Sequence, residues 1–155
     1  MDDAEPHGFK TLELARADYQ RIITHCLSGL PNEACGLLTG PWNADGPSGI
    51  VGGILPCENA DASAMTFSIA PRDLLRATRT AEATGDDLIG VWHSHTHTDA
   101  YPSPTDVRQA ADPSWAYVIV SLAFGHPVLR AYRIVDRAIT EIEVRLVGGA
   151  PARLP

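Results

Sequence analysis

The segment DLIGVW at 87–92 is a nearly continuous apolar run, the pattern of a central strand covered on both faces and not of a strand with one wet side. Such a strand needs a partner on each edge and a packed layer above and below it, so the rest of the chain must supply both. FKTLEL at 9–14 alternates loosely as a first strand. RADYQRIITHCLSGLP then sets Tyr19, Ile22, Ile23, Cys26, Leu27 and Leu30 at spacings near 3.6, an amphipathic helix closed by Pro31 and Asn32. EACGLLTG at 33–40 reads as a short buried strand, PWNADGPSG at 41–49 as a surface turn, and IVGGILPCEN as a returning strand whose glycine pair marks a bulge. MTFSIA at 65–70 alternates as a further strand. A second helix opens at Pro71, carries Leu74, Leu75, Thr78 and Ala81 on one face and stops at Gly85.

After the apolar run, SPTDVRQAA reads as a helix start, with Ser103 as N-cap, Pro104 at the first helical position and Asp106 at the third. WAYVIVSL, VLRAYRIV and AITEIEVRLV follow as three strands separated by turn signals. The order predicts a mixed α/β or α+β domain with a meander at its C-terminal end. At 155 residues the chain fits one domain over residues 1–147, with GGAPARLP at 148–155 as a flexible tail.

Charge and cysteine content narrow the function. The net charge is −7 and the positive residues are scattered, which leaves no electrostatic footprint for a phosphate backbone. No apolar run approaches the roughly 18 residues of a membrane helix, and the acidic start MDDAEPHGFK does not read as a secretory signal. Cys26, Cys35 and Cys57 are odd in number and lack a CxxC, so neither a disulfide framework nor a zinc knuckle is indicated. A reducing, cytoplasmic setting suits them.

The chemistry is concentrated in HSHTHTDAYPSPTD at 93–106. His93 and His95 stand two apart, so a strand that continues through them points both imidazoles to one face. Asp106 returns a carboxylate from the first turn of the following helix. Two nitrogens and one oxygen suit Zn²⁺, and three protein ligands leave a fourth position for water, the catalytic pattern. An HxH pair alone is common on surfaces and in satisfied cores; the Ser103 and Asp106 spacing is what adds weight here. His97 shares the period-2 phase but falls where the strand gives way to loop, and reads as exposed. A metal-activated water still needs a proton acceptor. Glu33, in apolar surroundings where a carboxylate is costly, is either that base or a solvated residue at a loop end. Cys35 reads as a small buried filler, Trp92 and Trp115 as core, and Asn59 as a turn former.

Taken together, Glu33 and the pattern His-x-His-x(7)-Ser-x-x-Asp formed by His93, His95, Ser103 and Asp106 resemble the JAMM motif of the MPN+ metallopeptidases. PNEACGLLTG, HSHTHTDAYPSPTDV and YRIVD look most like the bacterial enzymes that hydrolyse the bond between a sulfur-carrier protein and cysteine, on a route to cysteine biosynthesis. The likeness spans roughly residues 9–147. It implies one Zn²⁺ held by His93, His95 and Asp106, Glu33 as general acid/base and Ser103 as donor to the oxyanion. It also implies a mixed β-sheet flanked by helices, an architecture shared with the cytidine deaminases, whose HxE and PCxxC signature is missing from this chain. The implied substrate is a small ubiquitin-like sulfur-carrier protein ending in Gly-Gly. Thr96 departs from the proline that many members carry after the second histidine. Trimming of residues beyond a diglycine, deconjugation of a ubiquitin-like modifier, and an inactive MPN scaffold are the alternatives.

Overall fold

The computed structural model describes residues 8–149. In chain order its elements are β1 (Thr11–Ala15), α1 (Arg16–Gly29), β2 (Cys35–Gly40), β3 (Trp42–Asn43), β4 (Gly46–Pro47), β5 (Gly53–Cys57), α2 (Pro71–Ala83), β6 (Asp87–His95), α3 (Pro104–Gln109), β7 (Ala116–Ser121), β8 (Val128–Val135) and β9 (Ala138–Val147). Seven strands form one sheet in the order β1-β9-β8-β7-β6-β2-β5, with β3 and β4 as a separate two-stranded hairpin. β6 lies inside the sheet, antiparallel to β2 and parallel to β7, as its apolar run requires. The C-terminal meander is β7-β8-β9, and β1 closes onto β9 in parallel. The architecture is the mixed α+β sheet flanked by helices that the element order and the family likeness imply.

The sheet has two differently covered faces. On one, Trp92 of β6 and Val118 and Val120 of β7 meet Leu12 and Leu14 of β1 and Ile22 and Cys26 of α1, all nearly or fully inaccessible to solvent. On the other, Cys35 and Leu37 of β2 and Val91 of β6 pack beneath Ala77 of α2. Burial of this apolar surface is the main stabilising contribution, at about 25 cal/mol per Å². The β2–β6 register shifts between Leu38 and Thr39, which pair with Gly90 and Leu88 and leave Ile89 as the extra residue of a bulge. The bulge resets the alternation, so Val91, His93 and His95 share one face while Trp92 and Ser94 look to the other.

Three sequence expectations are corrected. α2 buries Asp73, Ala77 and Ala81, not the face through Leu74 and Leu75, which are 41% and 51% exposed. Two alanines let the helix approach the sheet closely, and the Asp73 carboxylate accepts the Glu58 N–H at 2.8 Å, a use that apolar periodicity does not encode. MTFSIA is not a strand: residues 65–70 make a single bridge, Ile69 to Asn59. Their backbone instead bonds the Asn59 side chain, which donates to Thr66 O at 3.0 Å and accepts from Ser68 N at 3.2 Å. The 50–59 strand begins only at Gly53, because Val51 turns away to donate to Glu13 O at 2.9 Å. Of the tail expected at 148–155, residues 150–155 lie outside the described residues, as do residues 1–7 of the N-terminal segment.

Candidate metal centre

β6 continues past its apolar run and carries His93 and His95 to its C-terminal end, each 4% exposed. Their rings meet edge to face, with centroids 4.9 Å apart. Each imidazole is fixed by a different neighbour. Phe67 stacks on His93, with centroids 4.2 Å apart and planes inclined by 19°. The Asp99 carbonyl lies 2.7 Å from His95 Nδ1; a carbonyl can only accept, so Nδ1 carries a proton and Nε2 is the nitrogen turned toward Asp106.

The carboxylate arrives from α3 by way of a capping box. Ser103 Oγ accepts the Asp106 N–H at 3.0 Å, and Asp106 Oδ2 accepts the Ser103 N–H at 2.9 Å, so two otherwise orphan donors at the helix start are satisfied reciprocally. The same Asp106 Oδ2 stands 3.0 Å from His95 Nε2 and 3.3 Å from His93 Nε2. The Ser103 hydroxyl is used as an acceptor here, and its own proton is free for another partner.

Glu33 comes from the segment just before β2 and is 6% exposed. Its N–H donates to Ser63 O at 2.8 Å and its carbonyl accepts from Asn59 Nδ2 at 3.0 Å. The neighbouring Ala34 is bonded to Ser94, the middle residue of the HSH triplet, through Ala34 N to Ser94 Oγ and Ser94 N to Ala34 O, both 2.9 Å. Ligand atoms of Glu33, His93 and His95 all lie within 4.8 Å of one another. Beside them His95, Thr98, Asp99, Tyr101, Ser103 and Pro104 line an open cleft of about 520 Å³.

The electrostatics are those of a buried, competing set. Burial pushes the Glu33 carboxyl up to about 7, against the pull of His95 and with the repulsion of Asp106 and Asp61. Burial would also raise Asp106, but the two imidazoles and the Ser103 N–H outweigh it and hold the carboxyl well below the usual range. Burial keeps His93 neutral in spite of Asp106. On His95 burial is outweighed by Asp106, the Asp99 carbonyl and Glu33, so its affinity for a proton is raised. His93 Nε2 is fully buried and has no hydrogen-bond partner among the described residues. An unpartnered neutral nitrogen beside a carboxylate and a second available imidazole nitrogen is a donor set that a divalent ion fits.

All five predicted site residues therefore sit at one end of β6. Asn59 serves both as a turn former and as a support of the Glu33 backbone. His97 is exposed and Cys35 is buried, as expected. Phe67 and Asp99 were missed: Phe67 lies in a stretch read as a strand, and Asp99 acts through its backbone, which has no sequence signature.

A family model described as prokaryotic homologues of the JAB domain matches residues 15–135. The chain belongs to this family. Among its relatives, the CysO-cysteine peptidase of Mycobacterium tuberculosis is 39% identical over 134 residues, covering 85% of this chain and 89% of that protein. The desampylase of Haloferax volcanii is 31% identical over 115 residues, covering 71% of this chain and 80% of its own length. The crystal structure of AF2198, a JAB1/MPN domain protein from Archaeoglobus fulgidus, superposes with a TM-score of 0.58 at 17% identity, covering 90% of this chain and all of that one. That likeness bears on the fold alone, and agrees with the layered sheet described above. The chain is thus an enzyme of the JAMM metallopeptidase family with a candidate metal centre on β6 and α3. No helix among the described residues is long and apolar enough to cross a membrane.

Proposed function

We propose that this JAMM peptidase hydrolyses the amide between the C-terminal glycine of a small ubiquitin-like sulfur-carrier protein and cysteine, releasing cysteine for biosynthesis in the cytoplasm. The observation that carries the reading is the convergence of Asp106 Oδ2 on both His93 Nε2 and His95 Nε2, with Glu33 in reach of the same point. The 39% identity to a CysO-cysteine peptidase supports the substrate class. Three free cysteines support a reducing compartment. We assign the catalytic domain to residues 1–147.

His93, His95 and Asp106 would hold one Zn²⁺, which when bound supplies Lewis acidity to the scissile carbonyl and makes water a nucleophile at neutral pH. Glu33 takes a proton from the attacking water and delivers it to the departing amine as the C–N bond breaks, the role that a carboxyl held near neutrality can fill in both directions. The Ser103 hydroxyl donates to the oxyanion that develops on the glycine carbonyl. The products are the carrier's free carboxylate and cysteine.

The test is incubation with carrier-Gly-Gly-Cys and with carrier-Gly-Gly extended by two other residues, with and without chelator, the products being weighed by mass spectrometry. Release of cysteine alone from the first substrate, abolished by chelator, is expected. Cleavage of the extended carrier with the cysteine adduct untouched would move the assignment to the second reading, a trimming or deconjugating peptidase, which the likeness to a desampylase favours. The joint presence of Glu33, His93, His95, Ser103 and Asp106 around one point speaks against an inactive scaffold.

A further inference from the structure

Three successive carbonyls beside the metal centre are each held by a side chain from a different strand. Ser121 Oγ of β7 donates to Thr98 O at 2.6 Å, His95 Nδ1 of β6 to Asp99 O at 2.7 Å, and the Tyr132 hydroxyl of β8 to Ala100 O. The two outer anchors are inaccessible, Ser121 being fully buried and Tyr132 only 2% exposed. Ser121 is the register partner of His95 across the β6–β7 ladder. Between these anchors Thr98 and Asp99 are exposed, and within the loop the Tyr101 N–H adds a bond to Asp99 O at 2.8 Å. A short exposed segment with so little internal bonding keeps its shape only through its anchors. The direction of His95 Nε2 depends on where the Asp99 carbonyl lies, because that carbonyl sets the rotation of the ring.

We propose that Tyr132 is a positioning residue of the metal centre: by fixing Ala100 it holds the Asp99 carbonyl that aims His95 Nε2. The inference rests on His93, His95 and Asp106 being metal ligands. Tyr132 also packs with Ile119 and Ala100 and meets the Tyr101 ring edge-on at 5.6 Å, so a purely structural role must be separated from this one. Outer partners of metal-bound histidines typically change metal affinity about 10- to 100-fold when lost.

The experiment measures zinc affinity and zinc release by chelator competition for the wild type, Tyr132→Phe and Tyr117→Phe. Tyr117 is the neighbour of Tyr132 across the β7–β8 ladder and donates its hydroxyl to Asp112 O at 2.7 Å, away from the 98–100 loop. Both variants lose one hydroxyl bonded to a carbonyl and should melt earlier. Only Tyr132→Phe should bind zinc roughly 10-fold or more weakly and release it correspondingly faster. Wild-type affinity in Tyr132→Phe, or an equal loss in Tyr117→Phe, overturns the proposal. If Tyr132→Phe does not fold, Ser121→Ala cuts the Thr98 anchor in its place, with the same weakening expected and unchanged affinity again decisive against it. A wild-type protein that takes up no zinc would remove the ligand assignment and this inference together, and would show so before any variant is compared.

Discussion

Ala34 and Ser94 are joined twice, by Ala34 N to Ser94 Oγ and by Ser94 N to Ala34 O, each 2.9 Å long. Glu33 precedes the first of these residues and the two histidines flank the second, so the carboxyl group and both imidazoles are parts of one rigid frame. Ser94→Ala leaves the buried Ala34 N–H without its acceptor, at a cost of about 1–3 kcal/mol. Zinc content should stay stoichiometric while turnover falls, because Glu33 loosens and the ligands do not. Calorimetry and metal analysis of one preparation check both halves; loss of metal here would mean that the frame serves the imidazoles first.

His95→Ala removes the nearer of the two imidazole nitrogens from Asp106 Oδ2 and leaves that carboxylate buried with one partner fewer. Stoichiometric zinc and all chelator-sensitive hydrolysis should be lost together. Elemental analysis after dialysis is the measurement, and a fully zinc-loaded His95→Ala protein would exclude this set of ligands.

Glu33→Gln is expected to keep its zinc and to lose turnover by roughly 10² to 10⁴. Its stability should move the other way. In the metal-free protein burial first, with Asp106 and Asp61, lifts the Glu33 carboxyl from 4.5 to about 7. A carboxyl whose folded value is raised contributes fully below its unfolded value, and that contribution is lost as pH rises through about 7. Glutamine suffers no such loss. Metal-free Glu33→Gln should therefore be more stable than metal-free wild type at pH 8, by roughly 1–3 kcal/mol, with the gap closing toward pH 4.5. Identical melting curves at pH 8 would show that the carboxylate is well solvated.

Ser103→Ala separates two duties of one hydroxyl. As N-cap it accepts the Asp106 N–H, and its loss should cost about 1 kcal/mol of stability. As donor to the developing oxyanion its loss should slow turnover about 10²- to 10³-fold. A rate loss no larger than the accompanying drop in bound zinc explains would leave only the capping role.

The convergence at the candidate metal site was legible because its parts are local: a strand period of two sets His93 beside His95, and a helix-start signature sets Ser103 against Asp106. Glu33 was less so, since only the β2–β6 pairing brings it across a gap of sixty positions. The face of α2 was misread because Leu74 and Leu75 outweigh two alanines in any apolar count, yet small side chains are what let a helix lie close to a sheet. MTFSIA has the alternation of a strand, and hydrogen bonds to the single side chain of Asn59 replaced the ladder that alternation implies. The Asp99, Tyr132 and Ser121 contacts involve backbone carbonyls of a loop and left no periodic trace.

The alternation along β6 has a consequence for how such a chain can change. Trp92 and Ser94 face the α1 side while Val91, His93 and His95 share the opposite face, Val91 beneath α2 and His95 at the cleft, and Ile89 in the bulge sets that phase. Insertion or deletion of one residue between the bulge and Trp92 would turn the imidazoles toward the α1 core and the indole toward the α2 side, where the layer is built for smaller side chains. Neighbouring positions of this strand thus serve opposite layers of the molecule, so a substitution disturbs one layer where a slip of one residue disturbs both.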